Sequence, residues 1–390
     1  MVKELIIHLG DCKTGSTAIQ STLLKKRYTM PDQSLVYPTG FNHNPLAWTL
    51  SRLSRRQDQK KFREKRFRFL AEKLAASDAD FGIVSAEDFE FVQPRDLAAA
   101  LEEFLPDYKG RTRLVAYVRP HAGRLLSSFA EHLKQTGEDV SMRDFFAQRR
   151  RGRHFTYADR FCEWRDVFGE AYTLRPFVRD RFKDGDVVAD FFDIVTGGAE
   201  VALKKVPIDN SSLSLRNLMM FKVLHQRLRA RTKFTDQQLH WFKQVTGWQM
   251  APHMARSEPD TATKLVMNHK LAEVVRDACR ADAERLDAEF FDDSGVMVRE
   301  LEAAPEKARA EGQSLRPADH LSEEEMGMIR GWADFLAQIA LADIDHYAWA
   351  IQPPGTRPGK PPGARPDLEK SEPKPEGEQA LIRRLFSKFR

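Results

Sequence analysis

Apolar positions follow two rhythms along this chain. Short, near-continuous runs at Leu5-Ile6-Ile7, Phe81-Gly82-Ile83-Val84 and Leu114-Val115-Ala116-Tyr117-Val118 read as strands buried on both faces of a parallel sheet. Tyr172-Thr173-Leu174 adds a shorter candidate, and Leu35-Val36-Tyr37 is a short apolar stretch inside a loop. Between these runs the apolar residues take helical spacing at Ala18 to Lys26, Ala122 to Lys134 and Tyr157 to Phe168 (Phe161, Trp164, Val167 and Phe168), and Phe177 with the Asp186 to Val195 segment continues the alternation. Pro120 suits the start of the second of these helices, and Gly169 suits the residue just past the third. Strand and helix alternate, which predicts an α/β fold with a central, mostly parallel sheet in a three-layer sandwich. Later segments are helical only: a run opened by residues 207–215 that reaches about Arg229, then Asp236 to Val245, then Thr263 to Phe291. Ser322-Glu323-Glu324-Glu325 has the form of a capping box and opens a further helical stretch to Ala350. These are helical insertions and a helical C-terminal extension.

The candidate chemistry lies at strand ends, where open α/β sheets bind ligands. The first apolar run leads into His8-Leu9-Gly10-Asp11-Cys12-Lys13-Thr14-Gly15-Ser16-Thr17 and then a helix. Such a loop turns backbone N–H groups and a helix N-terminus toward one point, where a phosphate is stabilised, and Lys13 adds a full charge. Gly10 and Gly15 have the separation of the nucleoside-triphosphate motif G-x-x-x-x-G-K-[ST], but Ser16 stands where the lysine belongs. The lysine comes two residues before the second glycine instead, which argues against an ordinary ATPase or GTPase.

Two more strand ends carry polar residues. Phe81 to Val84 runs into Ser85-Ala86-Glu87-Asp88, making Glu87 a candidate base; the same four residues have the S-x-x-[DE] form of a helix cap, and the two readings stand level. Leu114 to Val118 ends in Arg119-Pro120-His121, with Ser127 eight residues after Arg119, about two turns into the following helix. An arginine fork suits a bidentate hold on phosphate and a serine hydroxyl adds a donor. Singly, each also fits a plain structural role, a salt bridge at a helix start or a back-bonded helical serine.

These motifs together resemble the sulfotransferases that use 3′-phosphoadenosine 5′-phosphosulfate, PAPS, and in particular the bacterial carbohydrate-type members. Lys13-Thr14-Gly15-Ser16-Thr17 is similar to their 5′-phosphosulfate loop, and Arg119 with Ser127 to their 3′-phosphate site. The resemblance reaches to about Phe291-Asp292. It implies a P-loop-NTPase-like fold, PAPS as donor substrate and sulfuryl transfer to a hydroxyl of a carbohydrate or glycolipid. In that scheme Lys13 and the N–H groups of Thr14 to Thr17 hold the phosphosulfate, Arg119 and Ser127 the 3′-phosphate, and Glu87 takes the acceptor's proton, with no metal required. Two rivals remain: a small-molecule kinase with a divergent phosphate loop, and a protein of the same fold that binds polysaccharide or membrane without catalysis.

Composition narrows the setting. Sixty-two basic against fifty-seven acidic residues among 390 leave a net charge of +5, so basicity matters only where it clusters. Residues 51–70 hold nine Lys/Arg, with Phe62, Phe67 and Phe69 interleaved, against Asp58 and Glu64; a solvated helix face with its phenylalanines in the core is the simpler account, and no nucleic-acid motif accompanies it. Residues 141–160 hold six arginines against Asp144 and Asp159; Arg149-Arg150-Arg151 are read first as a solvated loop, with contact to an anionic acceptor as the alternative. Lys204 and Lys205 are read first as a surface loop, with closure over the nucleotide as the alternative. Cys12, Cys162 and Cys279 form neither a disulfide framework nor a zinc spacing, and no run approaches a membrane span, so a cytoplasmic protein is expected. The expected divisions are 1–296, the PAPS-binding α/β domain; 297–352, the helical extension; 353–378, a linker with eight prolines and four glycines; and 379–390, a basic amphipathic tail suited to peripheral contact with the inner membrane face or a partner.

Overall fold

The computed structural model describes residues 1–51, 59–151, 155–204, 213–259, 261–292 and 294–352. Arg52, Arg55 and Arg56 of the basic segment, Arg153, Lys205, residues 207–212, the linker and the amphipathic tail lie outside the described residues.

The apolar runs become the strands of one sheet, because each is flanked by residues that cover both its faces. In chain order the strands are β1 (Glu4–Gly10), β2 (Tyr28–Thr29), β3 (Leu35–Val36), β4 (Phe81–Ala86), β5 (Thr112–Val118), β6 (Tyr172–Pro176) and β7 (Ala202–Leu203). The main sheet runs β3-β4-β1-β5-β6, and every neighbouring pair in it is parallel. Strands β2 and β7 form a separate antiparallel pair.

The helices are α1 (Ser16–Leu24), α2 (Asn44–Trp48), α3 (Gln59–Ala75), α4 (Pro94–Phe104), α5 (His121–Thr136), α6 (Met142–Arg150), α7 (Ala158–Phe168) and α8 (Val187–Thr196). After them come α9 (Leu215–Arg231), α10 (Asp236–Arg256), α11 (His269–Phe290), α12 (Val296–Glu306), α13 (Glu323–Ala342) and α14 (Ile344–Ala350).

Alternate strand residues enter two different cores, as the period of two requires. Ile6, Ile83, Val115 and Tyr117 pack with Ile19 and Leu23 of α1 and Phe191, Phe192 and Val195 of α8. Leu5, Ile7, Leu9, Leu114, Ala116 and Val118 face the other way, into the large core shared by α4, α5, α7 and the later helices. Helices therefore cover both faces of the sheet. No helix among the described residues is long and apolar enough to cross a membrane.

The expected boundary at 296/297 falls at the start of α12, and the large core is continuous across it: Leu271 and Val275 of α11, Leu301 of α12 and Ile329 of α13 belong to one cluster. The Ser322 capping box forms with Glu325. Helix α10 runs well beyond Val245, through Gly247 and Pro252. Of the phenylalanines expected in the core, Phe67 is buried on α3 but Phe69 is exposed.

Candidate functional site

Register sets the site. Leu9 of β1 lies level with Ala86 of β4 and Ala116 of β5, so the three central strands end at one edge. The loop after β1, Glu87 and Arg119 all emerge there.

The loop is shaped by two left-handed residues, Lys13 (φ 73°) and Gly15 (φ 81°). Gly15 is also the N-cap of α1 and offers no side-chain cap. Among the described residues, no acceptor takes the backbone N–H groups of Lys13, Thr14, Gly15, Ser16 and Thr17, whereas the Cys12 N–H donates to Glu90. Five successive donors at a helix start are the arrangement that holds an anion. Thr14 closes the turn by donating its hydroxyl to the Asp11 carbonyl at 2.6 Å. The Ser16 hydroxyl, 3 % exposed, has no hydrogen-bond partner, and Thr17 is exposed.

Gly10 makes the packing possible. A Cβ there would lie 2.4 Å from Ser16 Oγ and 3.0 Å from Glu87 Cα, so its absence lets the helix start and the end of β4 close on β1. Glu87 begins a short 3₁₀ turn, Glu87–Phe91, whose cap residue is Ala86 and makes no side-chain cap bond. This corrects the capping-box alternative. Ser85 lies inside β4, buried, with its hydroxyl against His8 Nδ1 (2.8 Å) and Gln20 Nε2 (3.1 Å), so it cannot serve the turn. Burial pushes the Glu87 carboxyl above its ordinary value, with the Lys13 charge pulling the other way.

Helix α5 supplies one wall. Arg124, Ser127, Glu131 and Lys134 recur at spacings of three and four and share a stripe, while Leu125, Phe129 and Leu133 bury the opposite face. Glu131 binds both Lys13 Nζ and Lys134 Nζ at 2.6 Å. Burial alone would raise its pKa, but the two ammonium groups bring it down to about 2. Lys13 keeps two further N–H donors for an anion. The Ser127 hydroxyl has no side-chain partner among the described residues and sits one turn before Glu131 on the same face.

Arg119 does not stand apart at the start of α5. Its Nη1 donates to the Lys13 carbonyl at 2.8 Å, and its guanidinium lies over the Phe177 ring at 5.3 Å. The loop and Arg119 are therefore in contact. Burial lowers the Arg119 pKa from its usual value.

Two buried ion pairs fix the loop from behind. Arg160 binds Asp11 through both carboxylate oxygens, at 2.6 and 2.8 Å. Arg124 binds Glu90 at 2.7 and 3.0 Å and donates to the Cys12 carbonyl, while Glu90 accepts the Cys12 N–H at 3.0 Å. Burial would raise the Glu90 pKa; Arg124 and Arg160 hold it below the ordinary value. Arg149, Arg150 and Arg151 are exposed as expected, but at the end of helix α6 rather than in a loop.

The other titratable groups near strand ends have separate duties. Asp88 accepts the Trp48 indole N–H at 2.6 Å, and burial raises its pKa. His121 is fully buried, bound to Asp282 at 2.9 Å and stacked on Tyr157. Lys204 is exposed beside β7. The three cysteines are free thiols. No cluster of three or more His, Cys, Asp or Glu side chains arranged for a metal occurs among the described residues.

Sequence reasoning missed Glu131, Lys134, Glu90, Arg124 and the Asp11–Arg160 pair. The α5 stripe carried a signal, since its polar residues recur at helical spacing opposite an apolar face. The partners of Asp11 and Glu90 carried none, being joined only by the fold. Set against known proteins, the chain matches no family model, no curated protein and no solved structure.

Proposed function

We propose that the protein transfers a sulfuryl group from PAPS to a hydroxyl, with a carbohydrate or glycolipid as acceptor. The observation that carries this reading is the bond from Arg119 to the Lys13 carbonyl. A donor with phosphate groups on both the 5′ and 3′ sides of one ribose needs two anion sites close together, and an ordinary nucleotide needs one.

In the proposed reaction the N–H groups of residues 13–17 and the Lys13 ammonium hold the phosphosulfate, and Arg119 with Ser127 holds the 3′-phosphate. The acceptor oxygen attacks sulfur in line, and the bond from sulfur to the bridging oxygen breaks. Negative charge grows on that oxygen, where Lys13 and the loop dipoles already point. The acceptor's proton passes to Glu87, whose raised pKa suits a base working near neutrality. Adenosine 3′,5′-bisphosphate leaves.

The test uses thermal unfolding of the whole chain with adenosine 3′,5′-bisphosphate, ADP and AMP. Saturating bisphosphate is expected to stabilise by on the order of 2–4 kcal/mol, well beyond the other two. Equal shifts for all three overturn the reading.

A further inference from the structure

Helix α10 meets α5 at Gly247, where a Cβ would come within 2.5 Å of the Lys134 carbonyl oxygen. Only glycine lets the two backbones approach this closely. The contact brings the next residue, Trp248, onto the site: its indole Nε1 donates to Glu131 Oε1 at 3.0 Å, and the other oxygen of that carboxylate holds Lys13. The Trp248 ring is nonetheless 41 % exposed. Trp241, equally exposed, comes seven residues earlier, two turns and about 10 Å away on the same helix face. Between them Gln244 donates to Gln135, which in turn binds Glu131. A further exposed indole, Trp48, is oriented by its bond to Asp88, the neighbour of Glu87 in sequence.

Along α10, then, flat apolar rings alternate with amide and carboxylate groups, and the row leads to Lys13 and Glu87. A sugar ring has the same two characters, a C–H face that packs on an indole and hydroxyls that need partners. An acyl chain laid on this row would cover the remaining hydrogen-bonding capacity of Gln135, Gln244 and Glu131 with groups that cannot hydrogen-bond, which disfavours it. The spacing of Trp241 and Trp248 exceeds one sugar ring, so the fit is to a chain.

We propose that α10 is the acceptor platform: an oligosaccharide lies across Trp248 and Trp241 and presents one hydroxyl to Glu87. The platform itself is a binding site; what happens to the hydroxyl rests on the function proposed above.

Isothermal titration of the full-length protein with chitohexaose, cellohexaose, hyaluronan hexasaccharide and decanoate tests it. Saturable binding of at least one hexasaccharide is expected, weakened at least tenfold by Trp248→Ala and by Trp241→Ala. Trp248→Phe and Trp241→Phe, which keep a ring, should recover most of the affinity, and Trp332→Ala on α13 should leave it unchanged. Binding by none of the three sugars overturns the platform, as does binding of decanoate alone, or an equal loss in Trp332→Ala. Adenosine 3′,5′-bisphosphate titrated into the same samples separates the two proposals. Sugar binding without bisphosphate binding removes the donor reading and leaves the platform standing, and the reverse result removes the platform alone.

Discussion

Replacing Arg124 by methionine keeps a long, unbranched side chain and removes its charge. The Arg124 side chain is 7 % exposed and its partner Glu90 5 %. The substitution deletes both bonds to the Glu90 carboxylate and the bond to the Cys12 carbonyl, leaving Glu90 with the Cys12 N–H and the field of Arg160. Removing one member of such a pair costs about 3–5 kcal/mol, because the other charge stays buried. That is a large part of the roughly 5–15 kcal/mol by which a folded domain is stable. The pH dependence carries the signature. In the native protein the depressed Glu90 pKa contributes stability that is present above the ordinary value of 4.5 and is lost as pH falls below it. In the variant, burial prevails and the folded-state pKa rises above 4.5, so protonation relieves the penalty. The stability difference should therefore shrink between about pH 7.5 and about pH 5. Urea unfolding at both pH values, with Glu90→Gln and the double variant completing a cycle, measures the difference and the coupling. A difference under about 1 kcal/mol at the higher pH, or one of the same size at both, refutes the role given to this pair.

Other substitutions probe the chemistry directly. Lys13→Ala should lower the proposed sulfuryl transfer by about two to three powers of ten with folding preserved; activity within a few-fold of native, measured with saturating donor, would remove Lys13 from the proposed reaction. Glu87→Gln keeps the shape of the side chain, so unfolding midpoints should hold while turnover falls by roughly two to four powers of ten. In the native protein the acid limb of the kcat/KM profile for the proposed transfer should lie above 4.5, because burial raises the Glu87 pKa, and a limb at or below 4.5 would exclude Glu87 as the base.

Much of the sheet was legible because a strand covered on both sides is apolar at nearly every position, and Leu114 to Val118 could hardly read otherwise. Lys13, Glu87, Arg119 and Ser127 were legible through their places relative to strand ends. Helix α10 was legible only as far as Val245, since Gly247 and Pro252 look like terminators. The glycine is kept for its contact with the Lys134 carbonyl, a reason that exists only once α5 is in place. Helix α12 was hidden for a different cause: its large apolar residues gather at its start, the stretch from Glu302 onward is charged, and Leu301 gains its value from packing beside α11. Arg160 read as one arginine in a basic stretch until the fold brought Asp11 to it.

That last bond bears on how the chain comes to fold. Asp11 and Arg160 are 149 residues apart in sequence, Lys13 and Glu131 118, Cys12 and Glu90 78. The phosphate loop belongs to one of the first segments made, but the groups that fix it arrive one after another, and the last of them comes only with α7. Closing such long loops carries an entropic cost before any contact repays it. During synthesis the loop waits, with its glycines and its left-handed lysine unsupported, for the middle of the chain to emerge. The fixed shape of residues 13–17 is thus among the latest features the growing chain acquires.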